Sequence, residues 1–221
     1  MNQSKTGKFR ILAFDLSRHT GWAVLDDEKY IASGYFDVKI VDWKNDVYKT
    51  EHFPEIFPAN FAAAVKEVVD GCEKLVEQWT PDLVVTEFIE GSGRRFSQMF
   101  LDWLHFEFYV RMSQRGQKYK YILNSDWRNH VGCWISQHPD IKKYNAKVGQ
   151  ARRKTPRTKT GARVAKINGR VVSRIDKKKL SILLVSKHFN ITIKSDDEAD
   201  ALNQARAAQA IWGKLIDPVR N

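Results

Sequence analysis

Two short apolar runs in this chain each end in a carboxylate: FRILAFD closes on Asp15 and DLVVTE on Glu87. Apolar runs of this length, bounded by turn residues, read as buried strands. Between them Phe61, Val65, Val68, Cys72, Leu75 and Trp79 recur every three or four residues until Thr80-Pro81, which predicts an amphipathic helix with a stop. A helix between two buried strands suggests a parallel crossover that returns the second strand beside the first. Asp15 and Glu87 then lie side by side at one sheet edge, where two carboxylates repel and are costly to desolvate unless a cation joins them. For either acid alone, ending its strand in solvent is the simpler reading.

The remaining segments place these strands in an α/β chain. WAVLD and YIASGYFDV follow the first run after short turns and suggest an antiparallel meander. Residues 40–58 carry Pro54 and Pro58 and read as irregular. A second helix is expected over 96–112, with an apolar arc too wide for one core: either the helix is central, or it packs on its own sheet and on a second subunit. YKYILN reads as a further strand. SDWRNHVG then opens a short helix capped by Ser125 or Asn124, in which Trp127 is read as core before base-stacking. KLSILLVSKHF is helical, and a last helix from Asp196 to about Ile216 puts Ala199, Leu202, Ala205, Ala208, Trp212 and Leu215 on one face.

That last helix opens with SDDEADALNQA. Asp197 and Asp200 are three apart, hence on one face of its first turn. Capping by Ser195 or Asp196 and complementation of the helix dipole explain one or two of these acids. They do not explain Asp200, which sits in an otherwise small and apolar face. Four carboxylates, with histidines scattered outside ligand spacing, indicate hard oxygen ligation and favour Mg²⁺, with Mn²⁺ as substitute, over zinc. Paired hard metals suit phosphodiester hydrolysis. Glu198 and Asp196 stand in if the register shifts by one, and His19 lies four residues from Asp15.

Charge supplies the substrate class. The 221 residues carry Lys+Arg 37 against Asp+Glu 26, net +11, yet fifteen of the cations fall between Pro139 and Lys179, opposed only by Asp140 and Asp176. The window holds +13 and the rest of the chain −2. QARRKTPRTKTGARVAKINGR has few large apolar residues and reads as a loop or hairpin, so residues 139–176 are taken as a basic insert within one domain spanning 1–221. Phosphate contacts release condensed counterions, which points to nucleic acid. A membrane surface fits less well, because the window lacks an apolar face. Arg152, Arg153, Lys154 and Arg157 are the expected backbone contacts. Arg94 and Arg95 in GSGRR, Phe88 and Lys178 join them.

Composition excludes other classes. Hydrophobic residues at 43% provide a core, so this is no disordered polycation. Cys72 and Cys133 form no CxxC, which excludes a disulfide scaffold and a thiolate zinc site and fits a reducing, cytoplasmic setting. No apolar leader opens the chain and no stretch of about 18 apolar residues occurs, so neither secretion nor membrane spanning is expected.

AFDLSRHTGWAVLD, VVTEFIEG and DDEADALNQARAA, in this order and spacing, resemble the RuvC family of Holliday-junction resolvases over most of the chain, from Ile11 to about Ala208. The resemblance implies an RNase H-like fold, a mixed five-stranded sheet flanked by helices. It implies two Mg²⁺ ions held by Asp15, Glu87, Asp197 and Asp200, with Lys177 as the active-site lysine. It also implies a homodimer through the helix 96–112 and a substrate of branched DNA, especially four-way junctions cut by paired nicks. Ser17 stands where relatives carry glycine, and Glu90 where they carry a wedge aromatic, with Phe88 and Phe96 nearby. The long basic window is additional. These departures resemble a virus-encoded member, which would act in the host cytoplasm.

Other readings differ in what they require. An ATP-binding protein of the actin and sugar-kinase type needs a second glycine-rich phosphate loop and a longer chain. A helicase, suggested by the letters DEAD, needs a GxxxxGK[ST] loop that the sequence lacks. A flap or RNase H-type nuclease, and a non-catalytic nucleic-acid-binding module on the same fold, are separated from a resolvase by cleavage assays.

Overall fold

The computed structural model describes residues 8–38, 58–88, 95–155 and 163–213. Strands β1 (Arg10–Asp15), β2 (His19–Asp26) and β3 (Lys29–Asp37) form the antiparallel meander. Helix α1 (Ala59–Trp79) carries the chain across to β4 (Leu83–Phe88), which runs parallel to β1 in the register Ile11–Leu83 to Phe14–Thr86. After α2 (Arg95–Gln114), β5 (Tyr119–Leu123) adds parallel to β4 and completes a mixed sheet of order β3-β2-β1-β4-β5. Thr80 stops α1 in the left-handed conformation, φ 43°, with its N–H bonded to the Val76 carbonyl and Pro81 preventing continuation.

Alternation along β1 and β4 sorts side chains between two cores. Leu12, Phe14 and Val84 face α1 and α2. Ile11, Ala13, Leu83 and Val85 face the opposite side, where they meet Trp127 of α3 (Asn124–Val131), Leu180 of α5 (Lys177–Phe189) and Ala199, Leu202 and Ala205 of α6 (Asp196–Trp212). The small residues of α6 let it lie close on the sheet; Leu215, expected on the same face, lies outside the described residues, as do residues 39–57.

Helix α2 spends only part of its apolar arc inside. Phe100, Leu104, Phe108 and Met112 are buried against the sheet and α1, while Phe106 is 68% and Tyr109 52% exposed. The basic window also differs from a plain loop. Residues 150–154 complete helix α4 (Pro139–Lys154), which starts with proline in its first turn and carries a cationic C-terminal turn that suits the dipole. A two-strand hairpin follows, β6 (Lys166–Ile167) and β7 (Arg170–Val171), turned by Asn168-Gly169 at φ 51° and 78°. Among the described residues no helix is long and apolar enough to cross a membrane.

Candidate metal-binding active site

The parallel register brings the two strand-end acids together. Asp15 and Glu87 follow Phe14 and Thr86, the last pair of the β1–β4 ladder, and by alternation both lie on the face covered by α6. The α6 N-terminus is laid over this edge. Ser195 caps it, its Oγ accepting from the Asp197 N–H at 3.2 Å, so α6 begins where the sequence placed it. Gly21 of β2 admits it: a Cβ there would meet the Asp197 carbonyl oxygen at 2.1 Å. Asp197 and Asp200 thus stand over Asp15 and Glu87.

The electrostatics are those of crowded, desolvated acids. Burial, then the charges of Asp200, Glu87 and Asp197, push the Asp15 carboxyl well above the usual carboxylate range, with Lys178 opposing. Burial pushes Asp200 up to about 6, against the Ser181 hydroxyl and Arg128. Asp197 is raised by burial and by Asp196, against Lys178 and His19. No hydrogen-bond donor among the described residues reaches the Asp15 carboxylate, and Asp200 Oδ1 is buried without a hydrogen-bond partner.

Helix α3 supplies partners that sequence reasoning missed. Its N-cap is Leu123, which has no side chain able to cap it, so the expected caps Asn124 and Ser125 lie inside the helix. The Asn124 amide is committed to the site instead, where Nδ2 donates to Glu87 Oε1 at 2.6 Å and Oδ1 accepts from Arg128 Nε at 2.8 Å. Trp127 is fully buried and donates Nε1–H to Glu87 Oε2 at 2.7 Å. Arg128, itself nearly buried, pairs with Asp200 Oδ2 at 3.4 Å and stacks 4.1 Å from the Trp127 ring centroid. The available signal was polar residues at Asn124, Trp127 and Arg128, spacing i, i+3, i+4, on the helix directly after β5.

The lysines divide differently from the expectation. The Lys177 ammonium lies 4.5 Å from the Trp134 ring centroid. Lys178 is the one that faces the acids: it bonds Asp196 and feels Asp197 and Asp200. Glu198 turns away, its Oε1 accepting from Ser33 Oγ at 2.6 Å, and His19 pairs with Asp37 at 2.6 Å. Phe88 is 46% exposed, edge-on to Tyr121 with centroids 5.9 Å apart. Arg152, Arg153 and Lys154 are exposed on the last turn of α4. The Arg95 backbone opens α2; Arg94 and Arg157 lie outside the described residues.

The donor set fits a hard divalent ion in kind: oxygen only, with one buried orphan acceptor and one carboxylate short of donors. Among the described residues no three His, Cys, Asp or Glu stand ready around a single point. Glu87 is held by α3 and Asp200 by Arg128, and each ionised carboxylate keeps lone pairs beyond those bonds that could ligate an ion.

The sheet order, the helices on both faces and the acids at the ends of the two parallel strands define an RNase H-like α/β fold. The same architecture occurs in Thermus thermophilus RuvC in complex with a Holliday junction substrate, which superposes with a TM-score of 0.56 at 11% identity, covering 94% of this chain and 96% of that one. A second Thermus thermophilus RuvC structure gives 0.52 at 12% identity, with coverage of 94% and 96%. No protein-family model matches the chain, and no curated protein does.

Proposed function

We propose that the chain is a divalent-metal-dependent endonuclease of branched DNA, resolving four-way junctions by paired nicks as a homodimer joined through α2. The observation that carries this reading is the gathering of Asp15, Glu87, Asp197 and Asp200 at one sheet edge, with Asp15 so short of compensating donors that its ionised form calls for a cation. The basic window supports a polyanionic substrate. Fold likeness to a RuvC in complex with a Holliday junction substrate supports the substrate class.

Asp15, Glu87, Asp197 and Asp200 would hold two Mg²⁺ ions, with Mn²⁺ as substitute. When bound, such ions lower the pKa of an attacking water and neutralise charge on the leaving oxygen. The chain's own residues do the rest. Asn124 and Trp127 orient Glu87, and Arg128 keeps Asp200 ionised and placed. Lys178 takes the phosphate-steadying role for which the family resemblance suggested Lys177. Phe88, Arg94 and Arg95 follow Glu87 in sequence and contact the DNA beside the cut. The exposed apolar face of α2 is the surface for a second copy.

The test is a cleavage panel of four-way junction, flap, linear duplex, single strand and RNA–DNA hybrid, with Mg²⁺, Mn²⁺ or EDTA. Junction nicked in pairs, with metal and ahead of the other substrates, is expected. Preferential cutting of flap or hybrid reassigns the substrate, and metal-independent or absent cleavage of all five sinks the reading.

A further inference from the structure

We propose that α4 and the segment after the β6–β7 hairpin form a second phosphate site, apart from the carboxylates, that grips one backbone phosphate of the DNA. This rests on the reading above that the chain acts on DNA.

A cavity of about 370 Å³ opens between α4 and residue 174, and Arg152, Arg153, Arg163 and Arg174 converge on it. None of its lining residues is a carboxylate, and the sequence holds no acid between Asp140 and Asp176. Four guanidiniums around one small space repel one another and favour an anion among them. Their planar paired donors match phosphate oxygens.

The pocket is built rather than incidental. Gly149 is buried within α4, where glycine costs about 1 kcal/mol relative to alanine. A Cβ there would lie 2.6 Å from Arg174 Nη2, so a larger residue displaces that guanidinium from its place against α4. The backbone carrying Arg174 is pinned on both sides. Asn145 donates Nδ2–H to the Ile175 carbonyl at 2.8 Å and accepts the Ile175 N–H at 2.9 Å, and Tyr144 Oη donates to the Ser173 carbonyl at 3.2 Å. The other wall is tied by Arg152 Nε to the Arg163 carbonyl at 3.1 Å and Arg163 Nη1 to the Arg153 carbonyl at 3.4 Å. Each of these arginines has five N–H donors, so most remain for a ligand.

Position links the pocket to the cutting site. Arg174 precedes Lys178 by four residues, a span of at most about 14 Å. That is roughly four base-pair rises along one strand at about 3.4 Å each. The two sites are therefore carried by neighbouring stretches of chain, close enough for one DNA substrate to meet both.

The experiment is anisotropy binding of a labelled four-way junction over a KCl series, using wild type, Gly149→Leu and Arg174→Gln. The melting temperature of each is read with and without inorganic phosphate. Gly149→Leu keeps every charge and fills the cradle, while Arg174→Gln removes one cation. Both variants are expected to bind the junction on the order of tenfold more weakly at fixed salt. The salt slope of Arg174→Gln should be shallower by about one, and phosphate should raise the melting temperature of wild type alone. Unchanged junction affinity in a folded Gly149→Leu overturns the pocket. Should that variant not fold, Arg174→Gln with unchanged slope and an intact phosphate response overturns it instead. If wild type binds no DNA yet phosphate stabilises it and not Arg174→Gln, the pocket stands as a site for a free phosphate group and the DNA reading fails.

Discussion

Gly21 and Asp197 touch backbone to backbone, so closely that a Cβ on Gly21 would come within 2.1 Å of the Asp197 carbonyl oxygen. Strand β2 thereby sets the height of the α6 N-terminus above the sheet, and with it the position of two candidate ligands.

Gly21→Ala should therefore act on both stability and the site. Backbone cannot rotate away as a side chain can, so overpacking of about 1–3 kcal/mol is expected. Asp197 and Asp200 should be carried off together. Denaturant melts and Mn²⁺ titration check this; a variant with full stability and full Mn²⁺ affinity contradicts the placement of α6.

Trp127 ties a fully buried ring to a site acid. Trp127→Phe keeps an aromatic in the core but removes the 2.7 Å N–H bond to Glu87. Loss of such an orienting partner typically costs 10–100-fold in metal affinity or activity. Val185→Ala, in the same core, serves as the control: it should lower the melting temperature and leave Mn²⁺ affinity alone. Equal Mn²⁺ affinity in Trp127→Phe and wild type would show that Glu87 needs no orienting.

The raised acids invert the usual pH dependence. Asp200 has a folded pKa of about 6 against an ordinary 3.8, so the folded state binds the extra proton and its contribution to stability falls as pH rises from about 4 through 6. Two pKa units correspond to about 3 kcal/mol. In metal-free protein Asp200→Asn should gain on wild type as pH is raised from 4 to 8, by up to about that amount. A wild-type minus variant difference that is flat with pH contradicts the buried setting of Asp200.

How much of this was legible beforehand follows the chemistry. Strand-end acids, the crossover and the α6 cap were readable because each is local: periodicity, a Thr-Pro stop, a serine before acids. The commitment of Asn124 to Glu87 was not, because capping propensity and a contact 37 residues away compete for the same amide. Lys177 and Lys178 differ by one position and about 100° of helix, which sequence spacing does not resolve. Residues 150–154 looked loop-like from charge density, but cations at a helix C-terminus are favoured, and α4 continues through them.

The outer face of α2 should carry the dimer. Phe106 and Tyr109 are exposed, so Phe106→Glu with Tyr109→Glu costs the monomer little. Sedimentation should find wild type dimeric and the double variant monomeric with a similar melting temperature. A monomeric wild type, or a variant that stays dimeric, removes α2 from the interface.

The central claim is that Asp15 anchors a metal-dependent nuclease site, and the most direct measurement is nicking of a labelled four-way junction with Mg²⁺ by wild type and Asp15→Asn. Wild type should cut, and the variant should lose roughly 10³-fold in rate while binding the junction as tightly. Nicking retained by Asp15→Asn at the wild-type rate would contradict the account.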